Sequence, residues 1–516
     1  MRTAAIFSDH MVLQREKPIK VWGDGADGRR VTVTIAGHSA SDTVRDGKWC
    51  VTLPPMSAAD GLIMTICSGA VQIVYREIAV GEVWLCGGQS NMEFEIKDEL
   101  NGQKTLDSLR PECGVRFYYT PKQRMIDSDF ERNERLSVWN MASPEQARAW
   151  SAVGLYFALE ISQKLGVTVG LIGCNWGGAS ASAWVSRDVL ESDAALRLYL
   201  ADYDAAVAGK TPEEMIAEYD AYAAKQEKWW ADYSALLAAR PDIAWQDAIA
   251  IVGESHYPGP MGVKHENRPS GLYETMLQRV CPYTLRGFLY YQGESDDHRS
   301  ESYEALLSAL IACWRRDWED DSLPFLNVQL PMFRAANTPD SKNWCRIREA
   351  QANVYHRLRN TGLAVLTDCG EYDNIHPKDK ATVGHRLALQ ALCEVYDRTP
   401  REQASAPMFS MGYAMGNSFV VRTIHAADGF HVDGEAVGFA LAGADGVYYP
   451  AEAVFSPDCI VLTAKDVSAP KFARYAWTNY MKVTVFGKNG LPLAPFRTDH
   501  VSLAADQTAF QQDTVE

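Results

Sequence analysis

The sequence is short of several things, and each shortage excludes a class of protein. Its 516 residues hold no run of 18 apolar residues, so no membrane-spanning helix is expected. There is no Cys-x-x-Cys pair and no His-Glu-x-x-His, which removes the zinc knuckle, the dithiol redox site and the metalloprotease helix; no metal is expected. Positive charge is in deficit. Lys and Arg number 50 against 66 Asp and Glu, a net −16 that argues against nucleic acid or an anionic membrane as the main partner. The stretch Met1–His10 carries one Arg and no apolar core of signal-peptide length. Read with Met1 as the natural start, it points to a cytoplasmic protein. The 11 cysteines stand singly, several inside apolar runs such as Thr65-Ile-Cys67, and read as small buried hydrophobes in a reducing compartment.

What is present sorts into three textures. Residues 1–80 are short strands separated by Gly, Asp and Pro. Arg30–Ile35 alternates with period two, Asp46-Gly47 marks a hairpin, and Lys48–Leu53, Leu62–Ile66 and Val71–Tyr75 follow. This reads as a β-sandwich without catalytic residues. Residues 81–400 alternate helical periodicity with short apolar runs, the mark of an α/β unit with a parallel sheet. Residues 188–250 interrupt that unit as a helical insertion. Its second helix opens on the capping box Thr211-Pro-Glu-Glu214, and a lid, an oligomer contact and plain decoration are all open readings. Residues 401–516 return to strands, as a β-rich region packed on the N-terminal one or on the α/β unit, with a polar, frayed tail after about residue 503.

Inside the α/β unit, four polar or glycine-rich clusters each follow an expected buried strand. They are Ser90, Gly177-Gly178, Gln292-Gly293 and Asp373-x-x-His376. Parallel strands end at one sheet edge, where ligands of open α/β sheets bind, so the four clusters should meet in one cleft. Together they fit acyl transfer. A serine hydroxyl needs a base to take its proton, and His376 suits that role near neutral pH. Asp373 is placed to hold the other ring nitrogen, with Asp368 or Glu371 as substitutes. Donors for an oxyanion are the Ser90 and Gly178 N–H groups and the Gln292 side-chain amide. Each residue alone has a plainer reading, as a buried serine, a surface histidine or a turn-capping aspartate. Met92 stands where a Gly-x-Ser-x-Gly elbow has its second glycine. The turn Gly173–Gly178 has no nearby lysine for a phosphate.

These blocks together resemble the sialate O-acetylesterases and related carbohydrate acetylesterases of the SGNH hydrolase superfamily. The similarity runs from Phe7-Ser-Asp-His-Met-Val-Leu-Gln-Arg15 through Gly81-Glu-Val-Trp-Leu-Cys-Gly-Gly-Gln-Ser-Asn-Met92 and Trp176-Gly-Gly178. It continues in Arg268-Pro-Ser-Gly-Leu-Tyr273, Tyr291-Gln-Gly-Glu-Ser295, Ile375-His-Pro377 and Asn489-Gly-Leu-Pro492. The resemblance implies a flavodoxin-like three-layer α/β unit flanked by β-rich regions. It implies Ser90 as nucleophile, His376 as base, Ser90, Gly178 and Gln292 as oxyanion donors, and no cofactor. Asp373 fits the superfamily's Asp-x-x-His, but close members often read Asn-Asp-Ile-His where this chain has Asp-Asn-Ile-His, so a Ser–His dyad is the alternative. Arg268, Trp176 and Asn91 are the candidate substrate contacts, Arg268 for a sugar carboxylate unless it is a structural ion pair. The implied reaction is hydrolysis of an O-acetyl ester on sialic acid, with acetylated xylan or another plant oligosaccharide as the alternative substrate. A third reading is a carbohydrate-binding protein with a silent α/β unit, which the intact Ser90/His376 pair argues against. An acetylated sugar is the expected partner, and a homo-oligomer is compatible with the sequence.

Overall fold

The structure, a computed structural model, describes residues 1–240, 243 and 245–499. The tail expected to fray after residue 503 lies outside them. The fold is threaded on one strand of 18 residues, Val71–Gly88. Its first part pairs antiparallel with Ala59–Ser68 and parallel with Val12–Gln14, in the N-terminal β region. From Glu82 onward it lies between the parallel strands Val169–Asn175 and Gly287–Tyr291. The expected division between residues 80 and 81 therefore falls inside a continuous strand, at the point where its partners change. Burial follows the same division. Residues 71–77 are exposed or half-buried, whereas 78–88 are buried without a break, as a strand covered on both faces must be.

The parallel sheet runs in the order Val115–Tyr119, Val169–Asn175, the long strand, Gly287–Tyr291, Phe325–Gln329, Thr361–Val365, with Asn140–Met141 antiparallel at its first edge. The strand Val115–Tyr119 escapes the sequence reading because Arg116 interrupts its apolar run. That guanidinium is nonetheless buried, donating to the carbonyls of His10 and Glu77. Helices cover both faces. Ala152–Leu165 packs with Ala381–Glu394 on one, and Tyr303–Asp317 packs with Asn343–Arg357 on the other, giving three layers. The first of these helices starts at Ala152. Ser151 caps it by accepting from the Gly154 N–H, and a 3-10 turn, Gln146–Ala149, stands before it.

The insertion comprises Arg187–Ser192, Arg197–Ala206, Pro212–Ala239 and Trp245–Val252, and the Thr211/Glu214 capping box forms as its residues predict. The C-terminal β region packs on the α/β unit, which settles the choice left open above. Arg348 donates to the Thr478 carbonyl, and Arg497 pairs with Glu349 at 2.7 Å. Among the described residues, no helix is long and apolar enough to cross a membrane. All eleven cysteines are free; Cys86, Cys174, Cys313 and Cys345 are buried, and Cys50 is exposed.

Where the long strand changes partners, Glu82 is completely buried. It accepts from Arg15 Nε and Arg286 Nε, both at 2.6 Å, from Tyr396 Oη at 3.0 Å and from Gln14 Nε2 at 3.2 Å. Removing one member of a buried charge set strands the others, which costs about 3–5 kcal/mol. Glu82→Ala is expected to lower unfolding free energy by that order, about 3–5 kcal/mol, read by chemical denaturation. Exposed pairs such as Lys228–Asp232 should cost under about 1 kcal/mol when broken.

Candidate active site

The active edge is built from the C-terminal ends of three paired strands. Gly88 stands opposite Asn175 on one side and Tyr291 on the other, so the segments that follow all emerge at one place. Gly88 has φ +133°, and a Cβ there would lie 2.1 Å from the Tyr291 carbonyl oxygen, so only glycine fits. The chain then turns into the short helix Ser90–Glu93. First-turn N–H groups have no intrahelical acceptor, which leaves that of Ser90 free to meet an anion.

His376 Nε2 lies 2.8 Å from Ser90 Oγ, across 286 residues of sequence. Burial, and next the charge of Lys380, hold the His376 imidazolium below the ordinary histidine range, with Glu93 acting in the opposite direction. The ring is therefore neutral, and able to accept the serine proton, at neutral pH and somewhat below. Its loop is anchored from beneath by Asn91. This fully buried amide donates to the Ile375 carbonyl at 2.9 Å and to Glu294 Oε1 at 2.6 Å, and accepts from Lys380 Nζ at 2.5 Å. Burial pushes Lys380 down to about 8 and raises Glu294.

The second glycine turn sits beside Ser90. A Cβ on Gly177 would be 3.5 Å from Ser90 Cβ. Gly177 N–H donates to Glu93 Oε2 at 2.6 Å, while Gly178, at φ +77°, has an N–H without a protein acceptor among the described residues. Ser90 and Gly178 can thus offer two N–H groups to one oxyanion.

Other expected roles are corrected. Asp373, at φ +61°, turns its carboxylate to the Ala336 N–H at 2.6 Å, not to the imidazole. Its proposed substitutes are engaged too: Asp368 forks onto Arg386 at 2.6 and 2.7 Å, and Glu371 takes the Lys378 N–H and the Asn374 amide. Among the described residues, no carboxylate is hydrogen-bonded to the ring. Gln292 is wholly buried and spends its two amide N–H groups on the Ala179 carbonyl and on Asp296, while its oxygen accepts from Tyr303. It braces the Gly177–Ala179 turn from behind instead of facing Ser90. Asn91 is a buried tie, not a substrate contact. Arg268 pairs with Glu274 at 3.0 Å, the structural alternative noted above. Trp176 does reach the substrate side, but the Arg124 guanidinium lies 4.6 Å over its ring. Trp184 and Tyr291 are core.

A cleft of about 660 Å³ opens from Gly177 and Trp176 toward the insertion. The helix Pro212–Ala239 forms its far wall with Tyr219, Tyr222 and Trp230, and Tyr257 closes one end; Lys122, Arg124 and three glutamates, Glu93, Glu227 and Glu266, supply charge. Tyr257 Oη would be 2.3 Å from a Cβ on Gly178, so the loop that follows the insertion reaches the glycine turn itself. The insertion is thus a wall of the site. The sequence reading missed these residues. Lys122 and Arg124 follow the unrecognised strand Val115–Tyr119, and the strand-end rule would have found them had that strand been seen. Among the described residues, no cluster of His, Cys, Asp and Glu could hold a metal.

The chain is similar to known carbohydrate esterases. Residues 249–393 match the family model described as carbohydrate esterase, sialic acid-specific acetylesterase. The sialate O-acetylesterase of Mus musculus is 25% identical over 431 residues, covering 77% of this chain and 73% of that protein. That of Homo sapiens is also 25% identical, covering 77% and 71%. A carbohydrate acetylesterase from Xanthomonas citri superposes with TM-score 0.76 at 26% identity, covering 97% of this chain and all of that one (100%). The fold is that of an SGNH-type carbohydrate acetylesterase with additional β-rich regions. The chain is a carboxylic ester hydrolase that acts on O-acetyl esters.

Three outcomes follow from the site. The acid limb of kcat/KM should fall with a midpoint below 6.5, because protonation of His376 removes the base and burial delays that protonation to lower pH. A midpoint above 6.5 would contradict the environment described. His376→Ala should cost on the order of 10⁴-fold or more in kcat. Asp373→Asn should stay within about threefold, unlike the aspartate of a working triad.

Proposed function

We propose that the protein is a serine esterase that removes O-acetyl groups from sialic acid through an acetyl-serine intermediate. The observation that carries this reading is the 2.8 Å contact between Ser90 Oγ and His376 Nε2 beside two open N–H groups. Ser90 Oγ attacks the acetyl carbonyl carbon while its proton passes to His376 Nε2, and the carbonyl oxygen becomes the oxyanion held by the Ser90 and Gly178 N–H groups. The C–O bond to the sugar breaks, and the sugar oxygen takes the proton from His376. Water then gives a proton to His376, its oxygen attacks the acetyl-serine, and acetate leaves as Ser90 regains its hydrogen. Sialic acid as substrate is supported by the matched family model and by the two mammalian relatives. A cytoplasmic setting, suited to small imported sugars, is supported by the eleven unpaired thiols.

One observation favours a second reading, hydrolysis of acetyl groups on a neutral oligosaccharide such as acetylated xylan. The cleft is rich in aromatic rings and its glutamates outnumber its cations, while Arg268 is occupied by Glu274. Acetate release from O-acetylated sialic acid and from acetylated xylo-oligosaccharide, by wild type and Ser90→Ala, separates the two. Turnover of sialic acid alone, abolished in Ser90→Ala, is the expected result. Turnover of the xylo-oligosaccharide alone would replace the substrate, and activity surviving Ser90→Ala would remove the nucleophile.

A further inference from the structure

One carboxylate beside this Ser–His pair lies outside the histidine loop. Glu93 ends the four-residue helix that begins at Ser90, so nucleophile and carboxylate share one rigid turn. Its Oε2 accepts the Gly177 N–H at 2.6 Å, and its Oε1 is bound by Lys122 Nζ. Gly177 and Gly178 are adjacent, and the first N–H is consumed by Glu93 while the second is open. We propose that Glu93 is a positioning residue. By fixing the Gly177 peptide, it sets the direction of the Gly178 N–H toward the oxyanion formed at Ser90. This rests on the reading of Ser90 as nucleophile.

The same carboxylate is the negative charge that most favours the His376 imidazolium, set against Lys380 on the following turn. Other charged groups around the ring are committed elsewhere. Glu371 and Asp373 bind backbone N–H groups, Asp379 accepts from Thr382, Glu294 from Asn91, and Lys122 is itself paired to Glu93. Glu93 therefore affects both the donor geometry and the charge that the base must carry in the transition state.

Two substitutions separate these effects. Glu93→Ala removes acceptor and charge. Hydrolysis of p-nitrophenyl acetate, which needs no sugar contacts, should lose about 10²-fold in kcat with KM little changed, the size of losing one oxyanion donor. Glu93→Gln keeps an oxygen for the Gly177 N–H. It should recover most of that kcat while the acid limb of kcat/KM moves to lower pH, since the charge favouring protonated His376 is gone. Thermal melting of each variant confirms the folded state, and if Glu93→Ala does not fold, Glu93→Gln alone decides through its pH profile. A Glu93→Ala enzyme with wild-type kcat, a loss confined to KM, or a Glu93→Gln enzyme with an unmoved acid limb would overturn the proposal. Ser90→Ala in the same assay keeps the two readings apart. If it remains active, the nucleophile assignment fails; if it is dead while Glu93→Ala is not, only the role of Glu93 fails.

Discussion

The shared register of three parallel strands is the constraint on which the molecule depends. Gly88, Asn175 and Tyr291 are held level by backbone hydrogen bonds, and everything chemical is hung from the residues just past them. The central strand is also the last strand of the N-terminal β region, so that region cannot shift without moving Ser90. A slip of one residue would turn every side chain to the opposite face, and fully buried strands do not tolerate that. The charge cluster around Glu82 sits where the strand passes from one set of partners to the other. It links Arg15 from the N-terminal region with Arg286, just before the next strand of the catalytic sheet.

A second layer of organisation lies beneath the reactive pair. Asn91 connects the nucleophile turn to the histidine loop and to Glu294, and Gln292 connects the third strand end to the glycine turn through Ala179 and Asp296. These amides, which looked like candidates to touch substrate or oxyanion, lie one shell deeper. Buried amides suit that place because they offer donors and an acceptor without bringing a charge.

Much of this was legible in the sequence. That the segments carrying Ser90, Gly178 and His376 meet could be read because glycine turns and a histidine follow runs of buried residues, and parallel sheets bring such ends together. The three-texture layout was equally plain in the periodicities. Asp373 misled because a spacing of three is a statement about sequence, whereas its backbone is left-handed and aims the carboxylate at Ala336. Glu93 was invisible for the opposite reason: it looks like an ordinary helix residue, and only the fold puts Gly177 against it. Arg268 showed that a cation near a site has no assigned partner until the carboxylates around it are known, here Glu274. The strand around Arg116 was hidden because a charged residue can be buried when carbonyls from a neighbouring region surround it.

The wall of the cleft has a further consequence. Of the 28 residues of the helix Pro212–Ala239, only Met215, Tyr219 and Trp229 are buried. Its attachment to the rest of the protein is therefore light, while the reacting groups are anchored to the deepest part of the core. Mutations along this helix can reshape what fits against Trp176 with little effect on folding or on the proton path between Ser90 and His376. The shape of the cleft and the Ser90–His376 contact are thus set by separate parts of the chain.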